Sequence, residues 1–148
     1  MSAVLERWKQ VTAGFARHLQ AVQDDQWEAA TPCADFTVRQ LVEHVIDVQR
    51  MLPTMLGASG AAEPPPDSNA VSVWQTVHAA ALAAYEAKGA LQQVVNTVVG
   101  EMPVEQFLAG PAIGDALIHT WDLACAIGAD ATLPEAFCAI QLQALQGI

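Results

Sequence analysis

TVRQLVEHVIDVQRMLPTML, residues 37–56, decides the fold. Val38, Leu41, Val42, Val45, Val48 and Leu52 recur every three or four positions, the apolar face of an amphipathic helix. Thr37 is followed three residues later by Gln40, a capping box that fixes where this helix begins. Upstream, TPCADF (31–36) breaks the pattern, and residues 4–22 form another helix with Val4, Trp8, Val11, Phe15, Leu19 and Val22 on one face. Downstream, GASGAAEPPPDSN (57–69) is a loop with little to pack, expected to be the most mobile internal segment. A helix of ~20 residues is about 30 Å long, and a 13-residue loop can reach about 43 Å. The loop can therefore return the chain along the whole second helix, so that a third helix runs parallel to it, the long crossover of some four-helix bundles.

That third helix is expected over residues 70–88 (Val71, Trp74, Val77, Leu82, Tyr85), loosened at Gly89. Residues 91–103, LQQVVNTVVGEMP, read equally as an extended strap or as helix. A fourth helix is expected over 104–127, kinked or split near Pro111 and closed by Gly128 as C-cap. A short last helix starts with Pro134 at its first position. The fold class is all-α, a bundle in which the 57–69 loop permits a long crossover between helices 2 and 3, and residues 1–148 read as a single domain.

Composition narrows the function classes. The formal charge of −10, with only six Lys and Arg, excludes nucleic acid and a cationic membrane-surface helix as partners. No apolar run reaches the ~18–20 residues of a membrane span. The opening MSAVLERWKQ mixes charges into an apolar pattern, unlike a leader peptide, so the expected location is the cytoplasm. Cys33, Cys125 and Cys138 are odd in number and far apart, which is neither a disulfide framework nor a thiolate metal knot; each reads as a small buried hydrophobe.

The candidate site lies among the histidines. Asp115 and His119 are four apart and share a helix face, with Asp122 a further turn along. Two carboxylates flanking a histidine on an otherwise apolar helix are costly to bury without a partner, and a divalent cation supplies one. His44, on the face of Leu41, Val48, Met51 and Met55, is the best third ligand, although a core histidine bonded to a backbone carbonyl has the same pattern. His18 and His78 also lie beside apolar stripes and could replace it or act as a nearby acid or base; packing is the plainer reading of each. Trp8, Trp27, Trp74 and Trp121 read as core or pocket wall, and Glu43, Asp47, Asp24, Asp25 and Glu28 as solvated faces.

TPCADFTVRQLVEHVIDVQR (31–50) and GDALIHTWDLACAIG (114–128), with GEMP (100–103) and residues 129–134, resemble the metal-binding domain of mycothiol-dependent maleylpyruvate isomerases, in the DinB-like superfamily. The resemblance implies a four-helix bundle and a ligand set of His44, Asp115 and His119, with Asp where some relatives have Glu or His. The characterised isomerases carry a further C-terminal domain, which this sequence does not include. The expected function is a metal- and thiol-dependent isomerase or S-transferase: the cation holds a small thiol such as mycothiol as thiolate, which adds to a small electrophilic substrate. Zinc fits best, and an N₂O set also suits iron or nickel. Asp122 is the candidate catalytic carboxylate, orienting a ligand or holding a water. The open coordination position is expected to face Met51, Met55 and Trp74. The alternative is a non-catalytic module that binds a metal or a small ligand or forms a homodimer.

Overall fold

Ser2 caps the first helix, its hydroxyl accepting from the Val4 and Leu5 N–H groups, and α1 runs from Ala3 to Ala21. The same hydroxyl donates to Glu105 Oε1 at 2.7 Å, tying the start of the chain to a segment a hundred residues on. These details come from a computed structural model that describes residues 2–58 and 68–147.

The capping box forms as the sequence dictates. Thr37 Oγ1 accepts from the Gln40 N–H, Gln40 Oε1 accepts from the Thr37 N–H, and α2 spans Val38–Met55. Backbone bonds from Val38 to the Ala29 carbonyl and from Arg39 to that of Trp27 pin the preceding loop against the start of α2. That loop therefore lies over the first turns of the helix carrying His44.

Asn69 caps α3, Ala70–Glu86. Between α2 and α3 the crossover segment 59–67 lies outside the described residues, and with it most of the stretch expected to be mobile. The two halves of the core fix how the helices run. One joins Phe15 and Leu19 to Val38–Ile46, Trp74 and Val77, the late part of α1 with the early parts of α2 and α3. The other joins Leu5 and Trp8 to Leu52, Ala81 and Tyr85, the early part of α1 with the late parts of α2 and α3. So α2 and α3 run parallel to each other and antiparallel to α1. The long crossover is present.

Residues 94–103 settle the segment that read two ways. They form a small antiparallel hairpin, β1 (Val94–Thr97) with β2 (Gly100–Pro103), paired Val94 to Pro103 and Thr97 to Gly100. Val95 and Thr97 point inward while Val94, Val98 and Val99 are exposed, the two-residue alternation of a strand. Gly100, at φ +115°, occupies the turn conformation that side chains disfavour.

After the hairpin come α4 (Val104–Phe107), one wide π turn (Leu108–Ala112) and α5 (Ile113–Ile127). The wide turn contains Pro111, which lacks the N–H an α-helix would use; the extra residue absorbs that loss without ending the helix. Gly128, at φ +70°, closes α5 as its left-handed cap. The last helix, α6, spans Glu135–Gln146, with Pro134 as its cap and not its first residue. Helix dominates throughout, as the periodicity requires, and no helix among the described residues is long and apolar enough to cross a membrane.

Two side-chain expectations are corrected. None of the cysteines is buried: Cys125 is exposed, and Cys33 and Cys138 are partly so. Trp121 is not core either, at 43% exposure, and Ile118 nearby is 54% exposed. Cys125, Trp121 and Ile118 are spaced three or four apart, so they share an exposed stripe of α5.

Candidate metal centre

Asp115 sits in the first turn of α5, one residue after Gly114, and His119 follows one turn later on the same face. Across from them, the middle of α2 presents His44. His44 Nε2 lies 2.9 Å from Asp115 Oδ1, and His119 Nε2 lies 3.4 Å from that same oxygen. One donor atom from each of the three residues lies within 4.8 Å of the others, a grouping able to hold a metal ion. The two imidazoles meet edge to face at 4.9 Å. All three candidate ligands named from the sequence are thus brought together.

Asp122 stands behind His119. Its Oδ2 lies 3.0 Å from His119 Nδ1, and only 5% of the residue is exposed. That contact orients the ring so that Nε2 faces Asp115 and His44. The opposite oxygen of Asp115, Oδ2, is buried with no hydrogen-bond partner among the described residues. A carboxylate oxygen left so is costly, because an ionised acceptor loses its water without replacement.

Charge follows the geometry. Burial alone would push the Asp115 carboxyl up, but hydrogen bonds from His119 and His44 outweigh it and hold the group below its ordinary value. Burial would likewise pull His119 down, yet Asp115 and then Asp122 outweigh it and raise the imidazole. The site therefore favours positive charge between the carboxylates.

Three details depart from the sequence reading. His44 does not point wholly inward: a third of its side chain (34%) remains exposed, so the centre opens toward solvent. Trp74 belongs to a different half of the core from Met51 and Met55, so those three do not line one opening. Phe36, which the sequence reading passed over, stacks on the His44 ring at 5.3 Å and meets His119 edge-on at 6.1 Å. Its signal was its place just before the N-cap Thr37, where an apolar residue commonly packs back onto the new helix.

The other histidines lie apart. His78 is stacked against Trp8 at 4.6 Å and Trp74 at 5.5 Å, with Nε2 2.9 Å from Thr12 Oγ1. His18 lies at the α1–α5 boundary beside Leu117 and Thr132, its pKa lowered by burial and by Arg17. Neither belongs to the three-residue grouping.

Residues 8–124, from α1 to near the end of α5 and including every residue of this centre, match the family model described as the mycothiol maleylpyruvate isomerase N-terminal domain. Two proteins from Mycobacterium tuberculosis, strains CDC 1551 / Oshkosh and ATCC 25618 / H37Rv, are each 32% identical over 136 residues. These cover 90% of this chain and 72% of each relative, and both relatives are described as uncharacterised. No solved structure gives a significant match. On the match through α1–α5, the chain belongs to the mycothiol maleylpyruvate isomerase N-terminal domain family.

Proposed function

We propose that the chain holds one divalent cation, zinc by preference and iron or nickel as the other candidates, on His44, Asp115 and His119. We propose further that it uses the cation in thiol-dependent isomerase or S-transferase chemistry on a small electrophilic substrate. The observation that carries the metal reading is Asp115 Oδ2, a buried acceptor with no partner on a carboxyl group kept ionised by its neighbours. The donor spacing supports it. Ligands bound at ~2.1 Å in tetrahedral or octahedral arrangements stand about 3–3.4 Å apart, and the two imidazole-to-carboxylate separations are 2.9 and 3.4 Å.

A bound cation would supply the charge that keeps a small thiol, mycothiol or a relative, deprotonated near neutral pH. The chain's own residues do the rest. Asp122 is the positioning residue: it accepts from His119 Nδ1–H and so fixes which nitrogen faces the centre. Phe36 covers both rings on one side and limits water there, while the exposed edge of His44 leaves a route for a small thiol. The cytoplasm, where small thiols stay reduced, is the proposed place of action, with residues 1–148 acting as one domain.

One observation favours the second reading, a non-catalytic metal-binding module. Among the described residues, the cavities of about 390, 430 and 490 Å³ are lined by residues other than His44, Asp115 and His119. Metal analysis of the purified protein, followed by thiol-conjugation assays with and without chelator, separates the two. About one equivalent of metal and chelator-sensitive conjugation is expected. Metal without any thiol response leaves the metal-binding module, and no metal at all defeats both metal readings and leaves only a small-ligand-binding module.

A further inference from the structure

The wide turn that precedes Asp115 is held from outside by α6, a helix beyond the family match. Gln141, 5% exposed, donates from Nε2 to the Gly110 carbonyl at 2.8 Å. This carbonyl belongs to the irregular turn: Ile113 N–H reaches both Leu108 O and Gly110 O there. Gln141 gets that close only because residue 114 is glycine. A Cβ at Gly114 would stand 2.6 Å from Gln141 Nε2 and 3.2 Å from its Cδ. Glycine is a poor choice in a helix interior, so its presence beside Asp115 needs this kind of reason.

We infer that Gln141 is a positioning residue for the candidate metal centre, locking the π turn and thereby the rotation of α5 that aims Asp115 at His44. The mechanism is geometric. A π turn inserts one extra residue, and adding or removing one residue rotates everything beyond it by about 100° around the helix axis. If the turn relaxed to a regular helical turn, Asp115 and His119 would swing away from His44, although both would stay helical. Pro111 disfavours the regular turn by lacking its N–H, and Gln141 adds a side-chain donor to the Gly110 carbonyl, which the Ile113 N–H also reaches in the irregular one. Gln141 Oε1 is itself buried without a partner, so the side chain is held there for its N–H groups and not for its carbonyl.

The inference rests on the metal reading for its functional meaning, but its geometry can be tested without metal. Gln141→Met keeps the volume and removes the donor, while Gly114→Ala keeps Gln141 and removes its room. In the metal-free protein, each variant is expected to speed amide exchange at Asp115–His119 at least ~10-fold and to shift the imidazole ¹⁵N resonances of His44, with helical circular dichroism retained. In cobalt titrations each should weaken affinity ~10–100-fold and alter the visible bands of the ion, as loss of a ligand's support does elsewhere. If wild type binds no cobalt, the metal reading fails and the metal-free arm still decides the positioning claim. Should Gln141→Met lose its helical signal, Gly114→Ala decides. Unchanged exchange and unchanged His44 resonances in a folded variant would overturn the role of Gln141, as would cobalt binding within twofold of wild type with the same spectrum.

Discussion

Two histidine environments lie on different helix pairs of this bundle. Between α1 and α3, His78 is enclosed by Trp8 and Trp74, and its polar need is met by the Thr12 hydroxyl. Between α2 and α5, His44 and His119 converge on one carboxylate whose second oxygen has no partner. The first region has a loose end too, since the Trp8 indole N–H is buried unpaired. That is a neutral donor, which costs about 1–3 kcal/mol and offers nothing to a cation. Burial of a histidine does not by itself point to a site. An ionised acceptor left unfinished beside two imidazoles is what supports the proposed one.

The largest effect that could break this contrast is on metal affinity. His119→Ala removes a proposed ligand, so it should weaken zinc or cobalt binding by more than the ~10–100-fold expected for Asp122→Asn, which only loosens the His119 ring. His78→Ala should leave affinity within twofold. Isothermal titration against one metal ranks the three variants. Equal affinity in wild type and His119→Ala would show that the ligand set is wrong.

The sequence carried most of the α2–α5 pairing and less of its detail. The 3–4 spacing of Leu41, Val45 and Leu52 and the Thr37–Gln40 box defined α2 almost to the residue. The four-residue step from Asp115 to His119 defined a shared face. What joined that face to His44 was the family resemblance, because helical periodicity gives a side chain's direction around its own axis but not which neighbouring helix it meets. The hairpin at 94–103 was ambiguous for a similar reason: a short β-branched run fits either period until the Gly100 turn pairs it. Trp121 misled because an apolar side chain can as well lie on an exposed stripe. Gln141 gave no signal at all, since its partner is a backbone carbonyl thirty-one residues away.

A smaller effect, on stability, sharpens the contrast from the other side. His78 fills the space between two indoles, so His78→Ala should cost about 2–3 kcal/mol in chemical denaturation, through lost stacking and the cavity left behind. Thr12→Val should cost about 1 kcal/mol, since it strands the imidazole nitrogen but keeps the packing. Both should bind metal as wild type does. A His78→Ala protein as stable as wild type would mean that the α1–α3 region does not depend on the ring it encloses.

The smallest expected effect is a difference in sign with pH, in the metal-free protein. His119 is raised above its ordinary 6.5 by Asp115 and Asp122, against the pull of burial. The folded state therefore binds its proton more tightly than the unfolded state does. That stabilisation is fully present below 6.5 and is lost as pH rises through the raised value. His78 is lowered from 6.5 by burial, so the folded state resists the proton that the unfolded state accepts; its contribution is lost as pH falls below 6.5 toward the lowered value. Asp115 is held below 3.8 by its histidine partners despite burial, and its contribution is present above 3.8 and lost as pH falls through the lowered value. Each single-proton slope is at most about 1.4 kcal/mol per pH unit. His119→Gln should flatten the decline in stability above pH 6.5, and His78→Phe should flatten the rise just below it. Saturating zinc competes with the His119 proton, so it should reverse the wild-type trend above 6.5, with binding tightening as pH rises through the raised value. Denaturation midpoints at half-unit pH steps resolve the four curves: wild type with and without zinc, His119→Gln and His78→Phe. If zinc left the wild-type slope untouched while His119→Gln abolished it, the proton on His119 and the cation would not share a site.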